Sequence, residues 1–301
     1  MKHKILSGAI YCLSASIGVI AFVYPFLIPA IRDTAAGQAH ATDAPLVLTA
    51  LVSVCFVVLL FEVQGQAINA KLVALLGILV AMNSVLRFVE VAIPGPGGIS
   101  LMFFLIIMTG YVYGGRFGFL MGALSLFVSA LVTGSVGPWL PYQMFTAAWV
   151  GMTAPLCRPL VRGLRAEGRW GEVLILALLG AMWGFLFGAI MNVWFWPFAV
   201  GPADQYWEPG VGLAETLRRY AAFYVTTSLA WDVLRVVGNV TLILAFGAPT
   251  LRVLRRFGRR FAFDHQPVLN TDGPMAHAQA FSFHQTRRDR RRPVDQRVAS
   301  R

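Results

Sequence analysis

The stretch AKLVALLGILVAMNSVLRFVE, residues 70–90, decides the fold. As a helix it is about 30 Å long, the thickness of a hydrocarbon core, and in lipid an open chain satisfies its own backbone only as a helix. Two patterns are written on it. Ala70, Ala74, Gly77 and Ala81 are spaced four, three and four apart and share one face. Asn83, Arg87 and Glu90, spaced four and three, gather toward the C-terminal end. A bare face gains nothing against lipid but lets a second helix approach until backbones touch, whether that helix belongs to this chain or to another subunit. A charge at mid-bilayer costs about 2.5–3.5 kcal/mol on insertion scales and far less near an interface, so the Arg87 end lies at a membrane boundary.

The rest of the chain repeats the theme. Of 301 residues 57% are hydrophobic and 13% charged, about half the charge of a soluble domain, and the mean hydropathy is +0.66. Eight apolar runs predict spans over residues 5–31, 45–61, 70–89, 99–113, 117–133, 139–160, 173–198 and 220–251. The predicted class is an all-α polytopic membrane protein. The first run is too long for a signal-peptide core, and Ala39-His40-Ala41 lies too far beyond it for cleavage, so an uncleaved span is expected. Cys12, Cys55 and Cys157 sit in or beside apolar runs, without disulfide or metal-ligand spacing.

Lys and Arg concentrate in alternate loops, which orients the chain. One side receives Lys2, Lys4, Lys71, Arg116, the segment RPLVRGLRAEGR (158–169) and the C-terminal tail; the other has Arg32, Arg87 and the 201–220 loop with Arg218 and Arg219. An even number of spans with both termini cytoplasmic fits. The net charge of +11 is therefore local. Residues 258–301, with RRDRRR, read as a disordered basic tail that sets topology or rests on anionic lipid rather than on nucleic acid.

Several chemistries are excluded. The chain has three lysines and no GxxxxGK[ST] loop, so that route to ATP hydrolysis is closed. It has no HExxH or paired-aspartate motif, and its five histidines lie outside the spans. Neither an enzyme nor a metal or cofactor site is expected.

LLGILVAMNSVLRFVE, the segment LMFFLIIMTGYVYGGRFGFLMGALSLFVSA and above all GSVGPWLPYQMFTAAW (134–149) resemble the substrate-binding S components of energy-coupling factor (ECF) vitamin transporters, nearest the cobalamin-labelled branch. The resemblance covers about residues 70–254. It implies a six-helix substrate-binding domain over 67–257, preceded at 1–66 by two additional helices. It also implies capture of a vitamin or its precursor, delivered inward with a scaffold membrane subunit and two ATPase subunits in the cell membrane. Ala70, Ala74, Gly77 and Ala81 would be the scaffold-docking face.

Substrate-binding residues expected at the outer mouth are Asn83, Arg87, Trp139, Tyr142, Gln143, Asn192, Trp196 and Trp207. The aromatics equally suit an interfacial belt; the amides need partners in lipid. IPGPGG (93–98) reads as a gate loop or a plain turn. Asp232 and Arg235, three apart, read as a structural ion pair, with ligand contact or proton coupling as alternatives. The competing functions are an autonomous ion-coupled secondary transporter and a membrane assembly factor acting through its tail.

Overall fold

A computed structural model of the chain describes residues 2–27, 44–64, 70–92 and 100–261. Ten α-helices follow in order: α1 (Lys2–Leu27), α2 (Ala44–Gln64), α3 (Ala70–Ala92), α4 (Met102–Tyr113), α5 (Gly115–Thr133), α6 (Leu140–Thr153), α7 (Cys157–Gly163), α8 (Trp170–Phe195), α9 (Leu213–Thr227) and α10 (Leu229–Phe261). Among the described residues there is no strand, and four helices are long and apolar enough to cross a membrane: those containing Leu72–Glu90, Gly115–Thr133, Trp170–Phe198 and Leu229–Gly258. The chain is an all-helical polytopic membrane protein.

α4 is the short run expected over 99–113, and its surroundings explain its composition. Its 12 residues reach only about 18 Å, yet Met102 to Tyr111 are all buried. A helix sheathed by α3, α5, α6, α8 and α10 faces protein all round, so it is apolar on every side. The sixth predicted run, 139–160, is interrupted instead by a 3₁₀ turn at Ala154–Leu156, where Pro155 removes a backbone donor.

The eighth run is divided as well. Residues 220–251 read as one span, but the helix ends at Thr227 and restarts at Leu229. Asn192 on α8 holds the break: its amide nitrogen donates to Thr227 Oγ1 at 3.0 Å, and its oxygen accepts from Ser228 Oγ at 2.7 Å. α9 is thereby a separate amphipathic helix, and α10 continues through Phe261, into the segment expected to be tail. The remainder of the tail, the 93–98 loop and Ala39-His40-Ala41 lie outside the described residues.

Glycine stripes fasten the bundle. A methyl at Gly118 of α5 would overlap the backbone carbonyl of Gly151 on α6, as would one at Gly110 of α4; one at Gly122 would meet that of Ala147. On α8, Gly184 faces Val236 and Gly180 faces Ile243, both on α10, and Gly188 lies against Asp232. Both stripes are consumed within the chain.

Candidate functional site

Alternation of helix direction brings one set of ends together: the C-terminal ends of α1, α3, α5 and α8 with the N-terminal ends of α4, α6 and α10. Arg87, Trp139, Tyr142, Gln143, Asn192, Trp196, Asp232 and Arg235 all belong to this end. α3 supplies Asn83 and Arg87 one turn apart. Asn83 is fully buried, and neither amide atom has a hydrogen-bond partner. The half-buried Arg87 directs Nη1 at the thioether sulfur of Met102, 3.7 Å away. Glu90 instead ties α3 to the start of α4, accepting from Ser100 Oγ at 3.3 Å and the Leu101 amide at 3.2 Å.

Across the same end, Asp232 is ion-paired with Arg235 and accepts from the Tyr224 hydroxyl at 2.8 Å. Arg235 also donates to the Gly184 carbonyl at 3.3 Å and lies 5.1 Å over the Phe187 ring, itself edge-on to Phe103. The pair buries charge with its partners in place, the condition under which a buried carboxylate is tolerated.

The aromatic residues form a second group with an unforeseen member. Tyr142 is fully buried and Trp196 nearly so, whereas Trp139 is 40% exposed and Gln143 half-buried. Trp196 donates from its indole nitrogen to the Gln205 carbonyl at 2.9 Å and meets Tyr220 edge-on. Over them lies α1: Phe22 packs edge-on against Tyr142 at 5.1 Å, and Phe26 lies 5.9 Å from Trp196 and 5.3 Å from Trp207. Gly18 lets α1 seat on Trp149. Thus α1 walls the aromatic group, a role no spacing in the sequence announces, since Phe22 and Phe26 read only as two more apolar residues.

α9 carries a charge network. Glu215 accepts from Arg218 at 2.7 Å and Arg219 at 2.9 Å, and Arg219 reaches Glu208 at 2.8 Å. The hydrogen bonds from Arg218 and Arg219 hold the Glu215 carboxyl down to about 2.

The docking candidates behave unlike the other stripes. Ala74, Gly77 and Ala81 are exposed, and nothing lies within 4 Å of where a Gly77 methyl would project; the Ala70 side chain lies outside the described residues. Beside them runs an apolar groove of about 660 Å³, walled by Ala74, Ile78 and Met82 of α3 and Phe246, Val253 and Phe257 of α10.

The opposite end holds a polar knot that the sequence reading missed. Glu172 pairs with Arg255 and accepts from Tyr111 Oη at 2.6 Å and the Gly168 amide at 2.9 Å. Arg158 caps α4, donating to the carbonyls of Tyr111 at 2.8 Å and Val112 at 2.9 Å. The signal was an acid in the first turn of an otherwise apolar helix. Among the described residues no group of three or more His, Cys, Asp or Glu could hold a metal ion.

Residues 71–247 match the family model described as ECF transporter, substrate-specific component. No curated protein and no solved structure matches the chain.

Proposed function

The chain belongs to the substrate-specific components of ECF transporters, and on that premise we propose that it captures a vitamin or vitamin precursor at the Arg87 end and docks on its scaffold through α3. Membership makes it a membrane-embedded, substrate-binding transport subunit that works with scaffold and ATPase subunits, not an enzyme. The finer reading has the Arg87 end facing outward, both termini cytoplasmic, and Asn83, Arg87, Trp139, Tyr142, Gln143, Asn192, Trp196 and Trp207 around the solute. A cobalamin-related solute is the version favoured by residues 134–149.

The observation that carries this reading is the division of labour on α3. One face leaves Ala74, Gly77 and Ala81 open while the comparable stripes of α5 and α8 are filled; the far end turns Asn83 and Arg87 toward the other helices. Small side chains allow a close helix crossing, and a few placed polar groups among apolar walls are what a ligand site requires. Mass spectrometry of small molecules retained by the purified chain tests it. A vitamin-like heterocycle in stoichiometric amount is expected; recovery of lipid alone from cells replete with vitamins would contradict it.

A further inference from the structure

On α3 and α10 the Arg87 end carries two cations and two carboxylates, of which only Asp232 and Arg235 join in a direct ion pair. Asp232 is satisfied by Arg235 and Tyr224. Glu90 accepts from Ser100 and from the Leu101 amide just before α4, and it attracts Arg87, three residues back, without a hydrogen bond to it. Arg87 is left with a thioether as its hydrogen-bond acceptor, a weak partner for a fork of five donors. One turn earlier the Asn83 amide is fully buried and unpartnered at both atoms. In an apolar bundle each such atom carries the desolvation cost of a polar group with nothing in return. A guanidinium hydrogen-bonded to no carboxylate and an amide with no partner, on the same side of one helix, are complementary to a single chemical group: an oxyanion that takes two N–H bonds from the fork and a third from the amide.

We propose that Arg87 and Asn83 form an oxyanion site, taking a carboxylate or phosphate of the bound molecule. This rests on the substrate-binding reading and narrows it: the solute carries an anionic group and enters with that group directed at α3. The same chemistry is found on lipid headgroups, so the test must separate the two sources.

The test uses the full chain in nanodiscs of phosphatidylcholine, titrated with inorganic phosphate and with benzoate against chloride at matched ionic strength and followed by thermal unfolding. The wild type is expected to gain stability with at least one of these anions. Arg87→Gln should weaken the response about tenfold or more, the effect of losing charge-assisted bonds, whereas Arg256→Gln, on the exposed face of α10, should leave it unchanged. Asn83→Leu gives a sharper readout. Removing an unsatisfied amide should raise the unfolding temperature of the ligand-free protein while reducing its response to anion; an amide kept only for structure would lower that temperature.

Discs containing phosphatidylglycerol supply the second arm. Anion protection present in phosphatidylcholine and only competed by phosphatidylglycerol supports a solute site. Protection by phosphatidylglycerol alone, lost in Arg87→Gln, would overturn the solute assignment in favour of a headgroup. No response of the wild type to either anion, or a full response in Arg87→Gln, overturns the proposal. Retention of the scaffold by these variants separates its failure from failure of the family-level function.

Discussion

Gly77 and Gly118 look alike in the sequence, each one member of a small-residue stripe on an apolar helix, and the structure gives them opposite surroundings. A methyl at Gly118 meets the backbone carbonyl of Gly151, which has no side chain to swing aside; at Gly77 it meets nothing. Gly118→Ala should therefore destabilise by about 1–3 kcal/mol through overpacking, while Gly77→Ala should be neutral or stabilising by up to about 1 kcal/mol from helix propensity. Thermal unfolding of both variants in detergent checks this. Spacing could identify each stripe as a packing face but not its partner, because the partner is fixed by contacts distant in sequence. Likewise Asn192 was legible as an amide needing partners, but not that Thr227 and Ser228 provide them.

At the scale of elements, hydropathy located the spans, the short α4 among them, and ran two of them past their breaks. α6 stops at the turn around Pro155, a residue that hydropathy does not weigh, and the α9–α10 break depends on hydrogen bonds from α8, far outside the local window. The role of α1 was equally out of reach, since Phe22 and Phe26 acquire meaning only beside Tyr142, Trp196 and Trp207. Phe26→Ala should release Trp207 and raise hydrogen exchange across residues 199–212, leaving α5 and α6 protected; unchanged exchange in that loop would deny α1 its role as a wall. α9 makes a pH prediction. Its Glu215 carboxyl is depressed from 4.5 to about 2, so the bonds from Arg218 and Arg219 persist from neutral pH down to 4.5. Their contribution declines as pH falls below 4.5 and is gone below about 2. Exchange of the α9 amides should follow that course, and Glu215→Gln should flatten it.

For the whole molecule, the sequence carried the class and the family, because lipid imposes long apolar helices and the family match over 71–247 covers the helices in which the resemblance was read. The candidate residues were legible by type at one end of the bundle, and the Asp232–Arg235 pair by its spacing on one helix; that Arg87 has only a thioether to donate to was not, since contacts between helices depend on tilt and depth. The central claim is that α3 serves two masters, a solute at one end and a scaffold along its open face. Co-expression of the chain with an ECF scaffold and its ATPases, followed by affinity purification, tests it most directly with Gly77→Leu. The account predicts that this variant unfolds at the wild-type temperature yet no longer retains the scaffold; an intact complex would contradict it.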